Sequence, residues 1–279
     1  MEPNDIAPGE LAWDIAYRTM RERFALPVEA RSDAVTLMLQ RRMHHLLGTD
    51  PDGSVVATID HRVVGFAQAF VREDLWVLSL FAVEPATQGR GIGRALLDAS
   101  MTCGAGRRGM ILVSRDPLAM RRYFSAGFDL HPTLTAWGAV QHDRLPPSPS
   151  VREGDEHDFD QVAAVDREVR GAAHGPDLAF LVGEGSELLV HDGGGYALAG
   201  RRPLLLAATS DEVATELLAA VLRRVPDGEI ADVGWLTAGQ QWALRVAVRA
   251  GMELHPVGPM GLRGFDRPPA PYIATGSFG

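Results

Sequence analysis

Seven residues, Ala126-Gly127-Phe128-Asp129-Leu130-His131-Pro132, recur 124 positions later as Ala250-Gly251-Met252-Glu253-Leu254-His255-Pro256. Each copy follows a helical stretch, and each helix follows a strand-like run, 110–113 in the first and 230–236 in the second. Self-similarity at domain-sized spacing constrains the fold to two related units, duplicated and then diverged. A chain of 279 residues has room for two such domains. The break between them reads as His142–Ser150, where Pro146, Pro147 and Pro149 resist helix and sheet alike. The expected organisation is a domain over 1–141, a linker over 142–150, a second domain over 151–265 and an apolar tail over 266–279. That tail is too apolar to stay solvated and should dock.

The first half reads as helices over Leu11–Phe24 and Arg31–Leu47, the latter with Val35, Met38, Leu39 and Met43 on one face. The turn Asp50-Pro51-Asp52-Gly53 leads into three strands, Val55–Ile59, Val63–Val71 and Leu75–Val83, whose tight polar turns predict an antiparallel meander. The third strand is almost continuously apolar, as expected of one covered on both faces. A helix over Gly91–Cys103 follows, with Ile92, Ala95, Leu96 and Ala99 on one stripe. Then come a strand at 110–113, a helix over Pro117–Ala126 and a strand over Thr133–Val140.

Charge narrows the chemistry. All 27 basic residues are Arg, so catalytic-lysine and Schiff-base mechanisms are excluded. The net charge of −9 disfavours nucleic-acid binding over the whole surface, and no nucleic-acid partner is expected. Residues 1–150 hold 16 Arg against 17 acids, and the remainder 11 against 19, so the near-neutral half is where a polyanionic ligand is sought. No apolar run approaches the ~20 residues of a membrane span, and no leader segment is evident, so a cytoplasmic protein without a membrane partner is expected. The single Cys103 excludes an internal disulfide framework and a multi-Cys zinc site, and no metal is expected.

The stretch richest in chemistry is Phe81-Ala82-Val83-Glu84-Pro85-Ala86-Thr87-Gln88-Gly89-Arg90-Gly91-Ile92-Gly93-Arg94. A buried strand ends, Pro85 stops its extension, and a Gly-rich turn opens an amphipathic helix. Gly89, Gly91 and Gly93 let backbone N–H groups approach a ligand, at a helix N-terminus that favours an anion. Arg90 and Arg94 add positive charge suited to phosphate. A dinucleotide fingerprint fails because Leu96 stands where its third glycine belongs, and a Walker loop fails for want of Lys.

These residues resemble the fingerprint of the Gcn5-related N-acetyltransferase (GNAT) superfamily, Gln/Arg-x-x-Gly-x-Gly/Ala after a V-x-P strand end. Gln88, Gly91 and Gly93 match the first part, Val83 and Pro85 the second, and Tyr123 precedes a Gly127-Phe128 pair as in that family. The resemblance covers residues 1–141 and lacks only an opening strand. It implies a fold of mixed α/β class, with two GNAT-like domains in tandem, each a mixed antiparallel/parallel sheet flanked by helices. It also implies acetyl-CoA as cosubstrate and an amine, on a small molecule or a protein, as acceptor. Transfer of a larger acyl group and a CoA-thioester-binding module without turnover stay open as alternatives.

By the same resemblance, backbone groups of Gly89, Arg90, Gly91, Ile92, Gly93 and Arg94, with Gln88, would hold the pyrophosphate. The strand end at Phe81, Ala82 and Val83 would take the pantetheine arm, and the Val83 N–H would stabilise an oxyanion. Tyr123 would be the general acid, and Asp116 would take the place of a cofactor-contacting Asn. Arg121 and Arg122 could flank the cofactor or be solvated. No base is evident: Ser79 stands where the family often has Glu, and Glu73, Asp74 and Glu84 read as ordinary acids. Cys103 lacks a His partner for nucleophilic work.

The second half reads as a degenerate copy. Leu204–Ala208 corresponds to the strand ending at Val83, and Gln88–Gly93 fall opposite Thr209-Ser210-Asp211-Glu212-Val213-Ala214. Every glycine is gone, two carboxylates stand where phosphate would be, and Tyr123 corresponds to Ala247. The expected role is structural or regulatory. In one acetyltransferase subgroup a C-terminal carboxylate enters the active site, and Gly279 is a candidate for that position here.

Overall fold

The computed structural model describes residues 1–279 other than 27, 29–30 and 201–204, so Leu204 lies outside the described residues. They form two units, 1–71 with 75–109, and 72–74 with 110–279.

In the first unit the helices are α1 (Ile6–Arg23) and α2 (Asp33–Thr49), followed by β1 (Ser54–Ile59), β2 (Arg62–Arg72), β3 (Leu75–Val83) and α3 (Ile92–Met101). The sheet runs in the order β1-β2-β3, and β1 pairs antiparallel with β2 from Ser54↔Gln68 to Ile59↔Arg62. The expected meander is therefore present, with the third strand at the predicted bounds. Ile6, Leu39, Met43, Phe66, Leu80 and Ala82 pack together beneath it. α1 begins five residues before the predicted Leu11 because Ile6 is a core residue whereas Leu11 faces solvent. The predicted apolar face of α2 is narrower than expected. Leu39, Met43 and Leu46 are buried, but Val35 is 42% and Met38 49% exposed. Val35 stands a turn before that stripe, and Met38 lies ~100° round the helix from Leu39.

The second unit takes β4 (Arg108–Leu112), from Met110 onward, α4 (Pro117–Ser125), β5 (Asp129–Ala139), β6 (Val151–Glu153), α5 (Phe159–Val169), α6 (Pro176–Gly183), β7 (Glu187–His191), β8 (Gly195–Ala199), β9 (Leu205–Ala208), α7 (Asp211–Leu222), β10 (Ile230–Leu236), α8 (Gln241–Arg249), β11 (Glu253–Arg263) and β12 (Tyr272–Ile273). The repeated heptapeptide closes a helix and opens a strand in both places. Gly127 and Gly251 adopt φ of +86° and +85°. Phe128 N–H donates to Tyr123 O and Gly127 N–H to Phe124 O, and Met252 and Gly251 bond likewise to Ala247 and Val248. Two Schellman C-caps followed by strands explain why Ala-Gly-Φ is what the copies share.

The copies exchange strands. The order is β4-β11-β5-β10, so the strand after each repeat lies beside the other copy's inner strand. β5 and β11 pair antiparallel from Asp129↔Leu262 to Trp137↔Glu253. The expected linker accordingly runs inside the second unit. The Arg223 guanidinium donates to Leu145 O, Pro146 O and Ser148 Oγ. A second sheet, β12-β9-β8-β7-β6, is antiparallel throughout.

The C-terminal tail docks, as its apolarity predicts. Tyr272 and Ile273 pair with Ala207 and Leu206, and Phe278 meets the Phe180 ring edge-on at 6.0 Å. Arg170 donates to Phe278 O at 2.9 Å and the Tyr272 hydroxyl to Gly279 O at 2.5 Å, placing Gly279 against Tyr272. Next to them Asp166 accepts from Tyr196 at 2.5 Å and pairs with His174 at 2.8 Å. Burial would raise its pKa, but His174, Arg170 and the Tyr196 hydroxyl outweigh that and hold the carboxyl below the usual range.

Arg72, in the hairpin tip counted with this unit, forks onto Asp177 at 2.8 and 2.7 Å, with the Asp177 side chain fully buried. Breaking such a pair strands a buried charge. Arg72→Ala is expected to lose about 3–5 kcal/mol in urea denaturation, and Arg72→Met with Asp177→Leu to recover most of it. Equal losses in both variants would contradict this.

Candidate functional site

The strand end and the Gly-rich turn come together in the first unit. β3 approaches β2 closely because residue 65 is glycine. A Cβ there would stand 2.8 Å from Ala82 O and 3.2 Å from Val83 Cα, which no side chain tolerates. Ala82 O therefore points toward β2, and the Val83 N–H, across that trans peptide, points away from it. Glu84 N–H donates to Val64 O at 2.8 Å, so the Val83 carbonyl also points away from β2. That carbonyl accepts the Gln88 side-chain amide at 3.0 Å. The Thr87 hydroxyl closes the turn on Glu84 O.

Past the turn, Gly89 and Gly91 take φ of +81° and +84°, with open space where a Cβ would stand. Gly91 is the residue before the first turn of α3. Arg94 and Ala95 N–H bond back to Gly91 O, whereas the amides of Gly89, Arg90, Gly91, Ile92 and Gly93 have no acceptor among the described residues. Alternating φ signs in such a run turn successive N–H groups into a concavity suited to an anion. A Cβ at Gly93 would stand 3.6 Å from the Phe81 and Val83 side chains, so the helix start lies beside the strand end. Arg90 and Arg94 are solvent-exposed, and Arg94 lies 3.5 Å from Asp98.

Tyr123 and Asp116 belong to α4 in the second unit. Asp116 accepts from Leu118 N–H at 2.9 Å, capping the helix. Tyr123 is 6% exposed, and burial, with the nearby Asp116 charge, pushes its phenol pKa well up. Arg121 is exposed and Arg122 half-buried on the same helix.

The acids divide by partner. Glu84 is not the ordinary surface acid its position suggested, because it is buried and ion-paired with Arg62. Glu73 accepts from Arg167 and from Ala173 N–H within the second unit. The Ser79 hydroxyl is buried and has no hydrogen-bond partner among the described residues. The Cys103 thiol donates to Ser100 O, and burial pushes its pKa up, away from a thiolate. Sequence reasoning missed Gly65, whose only signal was a glycine inside a strand, and the strand-end target of Gln88.

In the second unit the corresponding strand-to-helix link is shorter than the register suggested. β9 reaches α7 through Thr209-Ser210 alone. Ser210 caps the helix at Val213 N–H, and Asp211 and Glu212 fill its first turn. The Gly-rich turn has no counterpart there. Gly91→Glu brings a carboxylate into the concavity and also strains the backbone, because φ at that position is +84°. It is expected to abolish inorganic pyrophosphate binding in calorimetry while the chain stays folded, and retained affinity would refute the anion site.

A family model described as "Acetyltransferase (GNAT) domain" matches residues 50–129. No curated protein matches the chain in sequence. Among solved structures, the chain is similar to a candidate acetyltransferase of Pyrococcus horikoshii, at 18% identity and TM-score 0.78, covering 100% of this chain and 94% of that one. It is also similar to a GCN5-related N-acetyltransferase of Kribbella flavida, at 14% identity and TM-score 0.62, covering 94% and 69%. A tandem GNAT protein of the clavulanic acid biosynthesis pathway aligns at 17% identity and TM-score 0.56, covering 94% and 96%. Residues 50–129 thus match a GNAT acetyltransferase domain, and the chain has the fold of the tandem GNAT protein to which it is similar.

Proposed function

We propose that the chain transfers an acetyl group from acetyl-CoA to an amine of a small molecule or a protein, using the Gly-rich turn of its N-terminal copy, residues 1–141. The observation that carries this reading is the run of five amides from Gly89 to Gly93 that have no acceptor among the described residues, beside a strand end whose Val83 N–H is turned off β2. Amides held rigidly at a helix start fit a pyrophosphate, with Arg90 and Arg94 beside them. Acetyl-CoA would supply the activated acyl thioester. The Val83 N–H would receive the charge developing on the acyl oxygen, and Phe81 and Ala82 would line the arm that carries it. To Tyr123 the reading assigns the proton for the departing thiolate. Its raised pKa keeps the phenol protonated across the working range. Asp116, whose carboxylate caps α4 at Leu118 N–H, is retained as a cofactor contact.

The copy over 151–265 is read as non-catalytic, because its strand-to-helix link is two residues long and its first turn is acidic. A second reading, binding without turnover, is favoured by one observation. Glu84 is committed to Arg62 and Glu73 to Arg167, leaving neither as an evident base. Thiol release from acetyl-CoA against an amine panel, beside thermal stabilisation by CoA, separates the two. Release with an acetylated amine in mass spectrometry supports transfer, stabilisation alone supports binding, and neither overturns both.

Tyr123→Phe is expected to keep CoA affinity and to lower kcat by roughly 10²-fold near neutral pH. The deficit should shrink as pH rises past about 8.5, where a thiolate no longer needs the proton. Parallel pH profiles for the two proteins would remove Tyr123 from the mechanism.

A further inference from the structure

We infer that Gln88 is a positioning residue that acts on Val83 rather than on the phosphate-bearing ligand, an inference that rests on the acyl-transfer reading above. Residue 83 presents both its N–H and its C=O away from β2, and only the N–H is asked to meet a developing charge. A carbonyl beside it left unbonded could turn with the strand end or repel that charge. The Gln88 side-chain N–H occupies that carbonyl at 3.0 Å.

The bond also spans the turn. Gln88 is the residue before Gly89, where the unpaired amides begin, and its own N–H is bound to Pro85 O. Its side chain thus ties the last residue of β3 to the first residue of the anion concavity. A ligand with a pyrophosphate at one end and a thioester at the other must meet both at a set separation. The other contacts of the turn, Thr87 to Glu84 O and Arg62 to Glu84, hold the residue after Val83, while Gln88 holds the Val83 carbonyl itself. A carboxamide is suited to this task because it donates without carrying charge, and its oxygen cannot take the role, since the partner is itself a carbonyl.

The experiment compares wild type with Gln88→Met, which keeps length and neutrality but loses the donor, and with Gln88→Arg, which keeps a donor. Misplacement of the reacting groups by an ångström costs about 10²-fold in rate. Gln88→Met is therefore expected to lower kcat for acetyl transfer by about 10- to 100-fold, with KM for acetyl-CoA and affinity for inorganic pyrophosphate within about twofold. Gln88→Arg is expected to regain most of that kcat. A wild type that transfers, with Gln88→Met turning over within twofold of it, overturns the positioning role and leaves the function standing. Parallel loss of kcat, pyrophosphate affinity and melting temperature in Gln88→Met overturns it too, in favour of a merely structural bond. A wild type that neither binds CoA nor releases thiol overturns the acyl-transfer reading and this inference together.

Discussion

Five successive main-chain amides without an acceptor are an unusual thing for a folded chain to hold, because polar groups taken from water without partners cost about 1–3 kcal/mol each. Here they remain at the surface, at the start of α3, where water or an anion can reach them. Their arrangement depends on the left-handed backbone of Gly89 and Gly91 and on a missing side chain at Gly65 that lets β3 close on β2. The first is a matter of φ and the second of a close approach, and glycine serves both. The exposed face of the turn is therefore built from backbone, with the Gln88 and Glu84 side chains serving as braces.

The second unit shows what the same ancestry yields when that constraint is lifted. Its strand-to-helix link has contracted to Thr209-Ser210, Ser210 satisfies the helix start by itself, and acids at 211 and 212 complement the dipole. This helix start is satisfied by its own chain. The polar groups of this unit turn inward instead. Asp166 gathers Tyr196 and His174, while Arg170 and Tyr272 hold the tail by its last carbonyls. Burying this many charged and hydroxyl groups is tolerable because each carboxylate oxygen of Asp166 has a partner.

Much of this was legible from residue order. Strand bounds followed from alternation and polar turns, and the tight turn before α3 followed from glycines placed where positive φ was needed. The duplicated Ala-Gly-Φ motif announced itself because a Schellman cap demands glycine at one position. The strand exchange was not legible, since alternation reports which face of a strand is buried and says nothing of which strand lies alongside. Apolarity said that the tail would dock but not that β9 would receive it. For Gln88 the motif named the residue and the ligand, while the geometry shows the side chain spent on Val83 O. For Glu84, position suggested a surface acid, and only the fold brings Arg62 to it.

The exchange of strands has a consequence for how the polypeptide is made. Both neighbours of β5 come from residues 230–263, so the ribosome delivers β5 long before anything can pair with it. A nascent chain that has emerged only as far as Pro146–Pro149 carries two unpaired edges on one strand, the situation that invites mispairing. Closure of that sheet must await translation of Arg263, and the barrier to it includes a long loop drawn shut at once. Folding of the second unit is thus a late, concerted event that a chaperone able to shield β5 would favour.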